Sequence, residues 1–117
     1  MRKFGSTGNK FNAKIVKTDE GTFRSKGEYN YWCALVLRQR AGDIRNLRHE
    51  PRYPITINGV KICDVLPDFE YEEWTGNDWI LVVEDHKSPA TITPVYKLKK
   101  KLLFAIYGIE VREVYSQ

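Results

Sequence analysis

Two stretches joined by one turn constrain this chain more than any other feature: Leu66-Pro67-Asp68-Phe69 and Val82-Val83-Glu84-Asp85-His86-Lys87, with Thr75-Gly76-Asn77-Asp78 between them. The apolar run that opens at Trp79 and is bounded by a polar turn reads as a buried strand, and the residues ahead of the turn read as its antiparallel partner. A hairpin turning between Gly76 and Asn77 places Asp68 directly opposite Asp85, with both side chains on one face and Cβ atoms about 5 Å apart. Lys87 joins them, because alternate residues of a strand share a face. Two carboxylates and an ammonium converging at the end of buried strands make a poor core. They make a good place to hold a divalent metal ion beside a phosphate.

The flanking elements follow from local signals. Ala13 to Lys17 and Thr22 to Arg24 surround Thr18-Asp19-Glu20-Gly21 as a short hairpin. Ser25 with Glu28 three residues on forms a capping box, opening a helix that runs to about Ala41, buries Tyr29, Trp32, Cys33, Val36 and Leu37, and stops at Gly42. Ile44 to His49 reads as a strand; Tyr53 to Ile57 and Val60 to Asp64 flank the hairpin turn Asn58-Gly59, with Ile55 facing Ile62 and Ile57 facing Val60. Pro67 bends the entry to the central hairpin, whose strands run from Leu66 to Glu72 and from Trp79 to Asp85. Thr93 caps a second helix with Pro94 at its first position, and Gly108 ends it after Tyr107. Ile109 to Tyr115 is a last strand, reached by a helical crossover from the central one. Helix, antiparallel strands, helix, strand implies an α/β chain with a mixed sheet and a helix on each face.

Size and charge narrow the rest. A chain of 117 residues holds one core, so residues 13–117 form a single domain behind a loose basic arm, 1–12, and any second lobe comes from another chain. The net charge of +4, from 19 Lys plus Arg against 15 Asp plus Glu, combines basic surface with a local acidic set, as a nucleic-acid partner would require. Cys33 and Cys63 lack metal or redox spacing and read as reduced core thiols. No signal peptide or bilayer-length apolar run is present, which points to a soluble cytoplasmic chain without a membrane partner.

These residues and their order resemble the PD-(D/E)XK nuclease superfamily, with its restriction-endonuclease-like core, and within it the small phage-encoded nucleases of the endonuclease I type that resolve Holliday junctions. The matching residues are Ser25-Lys26-Gly27-Glu28 on the first helix, Pro67-Asp68 and Asp85-His86-Lys87 on the central strands, and the lysine-rich second helix. The likeness spans roughly Phe23 to Val114. It implies that Asp68 and Asp85 hold Mg²⁺, with Mn²⁺ able to substitute, that the His86 backbone carbonyl adds a further oxygen, and that Glu28 completes a second metal position. It implies that Lys87 orients or deprotonates the attacking water, or stabilises charge on the phosphorane-like transition state. The implied activity is Mg²⁺-dependent hydrolysis of DNA phosphodiesters, on branched or four-way junction DNA, by a homodimer in the host cytoplasm. Lys26, Ser88, Lys97 and Lys100 become candidate DNA contacts. A sequence- or lesion-specific nicking enzyme and a non-catalytic DNA-binding accessory of the same fold are the competing functions.

Each residue also has a plainer reading. Asp68, Asp85 and Lys87 could be a cross-strand ion pair; Glu28 could be no more than a capping-box acid; Lys97, Lys99, Lys100 and Lys101 could be a solvated helix face. Glu84 neighbours Asp85, and a bulge would let it take the ligand position, but in a regular strand Glu84 and His86 fall on the opposite face. Trp32, Trp74 and Trp79 read as packing residues rather than base-stacking platforms, and His49 and His86 as bystanders.

Overall fold

The computed structural model describes residues 15–115, so the arm before Asn12 lies outside the described residues. In chain order come β1 (Val16–Thr18), β2 (Gly21–Phe23), α1 (Lys26–Arg40), β3 (Ile44–His49), β4 (Tyr53–Ile57), β5 (Val60–Val65), β6 (Phe69–Trp74), β7 (Trp79–Lys87), α2 (Pro94–Tyr107) and β8 (Arg112–Tyr115), with a 3₁₀ turn at Pro89–Thr91 between β7 and α2. Both helices start on the caps the sequence signals. The Ser25 hydroxyl accepts from the Glu28 N–H at 3.0 Å, and the Thr93 hydroxyl from the Tyr96 N–H at 3.1 Å. α2 ends at Gly108, whose φ of +71° lies in the left-handed region that a side chain would strain.

The main sheet is mixed, with strand order β3-β6-β7-β8: the first pairings are antiparallel, and β8 runs parallel to β7 after the α2 crossover. Val82 and Val83 divide its two faces. Val82 joins Phe69, Tyr71 and Ile44 beneath Trp32 and Leu35 of α1. Val83 joins Leu103 of α2, Val111, and Ile55 and Val65 of the β4–β5 hairpin on the other side. A helix therefore covers each face, and the charged ends of β6 and β7 emerge at one end between the two covers. Leu103 is fully buried; Leu103→Ala should cost about 2–5 kcal/mol in urea unfolding, because the cavity sits where three elements meet.

Three expectations need correction. The buried stripe of α1 is Glu28, Trp32 and Leu35, with Tyr29, Cys33 and Val36 only half-buried and Leu37 63% exposed. The helix is rotated because its buried face begins with a carboxylate, which a hydrophobic count leaves out. In the β4–β5 hairpin Ile57 faces Val60 as expected, but a bulge at Ile62 pairs Ile55 with Cys63. The extra residue turns Cys63 and Val65 inward and leaves Ile57, Val60 and Ile62 exposed. The central strands are also displaced along the chain: Leu66 to Asp68 lie outside β6, and β7 continues past Asp85 to Lys87.

Candidate active site

The central hairpin keeps the expected register, with Phe69 paired to Glu84 and Trp74 to Trp79. One step beyond Phe69, Asp68 meets Asp85 through the chain itself: the Asp68 N–H donates to Asp85 Oδ1 at 2.9 Å, and the His86 N–H donates to Asp68 Oδ2 at 2.8 Å. Each carboxylate is thus held by a main-chain donor of the facing segment, which restrains its rotamer. The N–H and C=O of one strand residue leave toward the same side of the strand, so the His86 carbonyl faces the Asp68 side of β7, as its N–H does.

Glu28 reaches the same end from the first turn of α1. Arg24, just ahead of the Ser25 cap, bridges it to the strands: its guanidinium is ion-paired to Asp68 Oδ1, and its Nε lies 3.6 Å from Glu28 Oε1. Asp68 is fully buried, and Glu28 and Asp85 are 2% and 7% exposed. Glu28 Oε2 is buried without a hydrogen-bond partner. His49 Nε2 faces it at 3.6 Å, too far for a hydrogen bond, and is likewise unpartnered. The His49 ring stacks on Phe23 at 4.2 Å, and a Cβ on Gly21 would come within 3.0 Å of its Nδ1, so only glycine fits beside it.

Crowding of acids shows in their proton affinities. Burial, then the Asp68 charge, raises the Glu28 carboxyl from 4.5 to about 7, and the same two causes raise Asp85. A carboxyl whose folded-state affinity for protons is raised contributes stability at low pH and loses it as pH rises from its unfolded value through its folded one. In EDTA, wild type should therefore lose stability relative to Glu28→Gln between about pH 4 and pH 8, by about 1–2 kcal/mol after allowance for solvent screening at the cleft. Urea unfolding across that range measures it, and a constant gap would show that Glu28 does not titrate there.

Lys87 completes the face it was expected to share, its ammonium 4.1 Å from the centre of the Tyr96 ring. Arg24, Asp85, Lys87, Thr91, Tyr96 and Lys100 line a cleft of about 310 Å³ at this end of the sheet. Glu84 points the other way, accepting from the Tyr31 hydroxyl at 2.8 Å and from Arg112 Nε at 2.8 Å. The His86 ring lies on that same α1 side, 6.1 Å from Tyr31. Among the candidate DNA contacts, Lys26 and Lys97 are exposed, and Lys100 Nζ is bound to Glu113 Oε2 at 2.9 Å. Ser88 opens the 3₁₀ turn, its N–H donating to Thr91 Oγ1 at 3.1 Å.

Sequence reasoning missed Arg24, His49 and Tyr96 as members of this group. Arg24 carried a usable signal, since a residue next to the cap of a helix that begins with a site acid is held near that acid. His49 and Tyr96 are brought in by tertiary packing, for which no local pattern exists.

All donors here are oxygens, the set that Mg²⁺ and Mn²⁺ prefer. Among the described residues no three His, Cys, Asp or Glu side chains already close on a common point as a metal cage does. The unpartnered Glu28 Oε2, beside the carboxylates of Asp68 and Asp85, nonetheless gives an all-oxygen donor set suited to a hard cation, in a cluster where Arg24 supplies the neutralising charge.

Fold and site together define a mixed α/β protein with an acidic cluster, flanked by basic side chains, at the open end of its sheet. The chain belongs to DUF1064, a family of proteins of unknown function, whose model matches residues 8–116. No curated protein and no solved structure matches it. Among the described residues no helix is long and apolar enough to cross a membrane.

Proposed function

We propose that this chain is a Mg²⁺-dependent endodeoxyribonuclease that hydrolyses phosphodiester bonds of branched DNA, four-way junctions above all, on a restriction-endonuclease-like core. The observation that carries this reading is the reciprocal anchoring of buried Asp68 to Asp85, which lines a basic cleft, with Glu28 buried beside them. That placement of acids and lysine supports the resemblance to the PD-(D/E)XK nucleases.

Asp68, Asp85, the His86 carbonyl and Glu28 would hold the metal, with Mn²⁺ able to replace Mg²⁺. When bound, such an ion acidifies water, screens phosphate charge and stabilises the leaving oxygen. The residues themselves do the positioning. Main-chain donors fix the two aspartates before substrate arrives, so little reorganisation is needed at the reacting centre. Lys87 Nζ, supported by the Tyr96 ring, donates hydrogen bonds to the attacking water and to a non-bridging phosphate oxygen. Lys97 and Lys26, exposed on α2 and α1, contact the DNA backbone; Ser88 and Lys100 sit where the strand would pass.

The described residues of one chain hold one such cluster, so paired cuts across a junction call for a homodimer with a two-fold axis. The test is incubation of purified protein with a four-way junction, a linear duplex and single-stranded DNA, in Mg²⁺ and in EDTA. Cutting of the junction in Mg²⁺ and none in EDTA is expected. Equal cutting of a linear duplex at a fixed sequence would instead make it a nicking enzyme, and binding without cleavage of any substrate would make it a DNA-binding accessory.

A further inference from the structure

We propose that Arg24 is the resident counter-cation of the acidic cluster, seated on Asp68 and Glu28 when no metal is bound and exchanged for the divalent ion when it enters. This inference rests on the metal-site reading above and adds a competing cation supplied by the chain itself.

Three acids buried at one end of a sheet need positive charge, because an uncompensated buried carboxylate is costly. Lys87 lies on the Asp85 side, over Tyr96. The charge nearest Asp68 and Glu28 is the Arg24 guanidinium, paired to one and 3.6 Å from the other. Burial alone would lower the proton affinity of Arg24, and the carboxylates of Asp68, Glu28 and Glu50 more than offset that. It therefore stands among the oxygens that would ligate a metal.

Arg24 is also built to leave. Its side chain is 63% exposed, so only the tip enters the cluster and withdrawal uncovers little apolar surface. Its backbone is fixed between Phe23, which is fully buried, and Ser25, which caps α1, so the exchange needs only side-chain rotation. The contrast is Arg112 on the opposite face. There Arg112 holds Glu84 at 2.7 Å and also donates to the Tyr71 hydroxyl at 3.0 Å, while Tyr31 satisfies the other Glu84 oxygen. That pair is closed. Around Arg24 the arrangement is open: Glu28 Oε2 keeps no hydrogen-bond partner even with the guanidinium in place.

The test is calorimetric titration of Mn²⁺ into the full-length wild type, Arg24→Gln, Arg24→Lys and Asp68→Asn without DNA, alongside thermal melts with and without Mn²⁺. If the guanidinium competes, Arg24→Gln melts lower than wild type without metal but binds Mn²⁺ about tenfold more tightly, within the usual range of coupling between sites. Its Mn²⁺-induced rise in Tm is correspondingly larger. Arg24→Lys, which keeps the charge but loses the forked contact, falls between, and carries the same test if the glutamine variant does not fold. Unchanged or weaker Mn²⁺ affinity in folded Arg24 variants, with wild type binding and Asp68→Asn not, would overturn the exchange and leave the metal site standing. Absence of binding in every form would overturn both.

Discussion

Asp68→Asn is expected to lower junction cleavage in Mg²⁺ by about a thousandfold or more, equivalent to about 4 kcal/mol of transition-state stabilisation, with folding and DNA binding retained. Asn is nearly isosteric, and its carbonyl oxygen can still accept the His86 N–H that holds Asp68 Oδ2 at 2.8 Å, although its amide then faces the exposed Arg24 guanidinium and lowers stability without unfolding the chain. What disappears is the charge on the fully buried member of the cluster, the group both adjacent strands are shaped to present. Lys87→Ala should lower cleavage by about 10²–10⁴-fold through a different route, since on the proposed mechanism it removes the donor to water and phosphate while leaving the acids in place. Single-turnover rates on a junction, with binding measured separately in Ca²⁺, would separate the two effects. Full cleavage by both variants would remove the hydrolytic mechanism altogether.

The legible parts of this molecule were those written locally. Ser25 and Thr93 announce their helices because a side-chain oxygen replaces missing backbone acceptors, and Gly108 announces an end because few other residues tolerate its backbone angle. The central register was readable because a four-residue polar turn fixes it, and a slip of one residue would turn Val83 and Asp85 to the wrong face. From that register alone, the side-by-side placement of Asp68 and Asp85 follows.

What was not legible depended on the third dimension. The α1 face was misjudged because Glu28 heads a buried stripe, a position that Arg24 compensates, and Arg24 is itself held by Asp68, which lies forty residues beyond Glu28 in sequence. The bulge at Ile62 leaves no mark in an alternating apolar pattern; it becomes visible only through the partners that Cys63 and Val65 find. His49 looked like a bystander because its place beside Glu28 depends on the space left by Gly21 and the ring of Phe23.

The neighbouring acids Glu84 and Asp85 should respond to neutralisation in opposite ways. Glu84 is 99% removed from solvent on the α1 face, and both its oxygens are held, by Tyr31 and by Arg112. Glu84→Gln turns an amide toward the guanidinium and breaks a buried pair, so it should cost about 2–3 kcal/mol of stability, less than a fully buried pair because Arg112 is half exposed. Cleavage by the folded fraction should be close to that of wild type. Asp85→Asn keeps the acceptor for the Asp68 N–H at 2.9 Å and removes a charge that burial and Asp68 both disfavour. Its stability should equal or exceed that of wild type, while cleavage falls by about a thousandfold. Urea unfolding and single-turnover cleavage on the two variants read both quantities. The reverse outcome, a stable Glu84→Gln that is inactive beside an active Asp85→Asn, would place the ligand on the other face of the sheet, one residue earlier in β7.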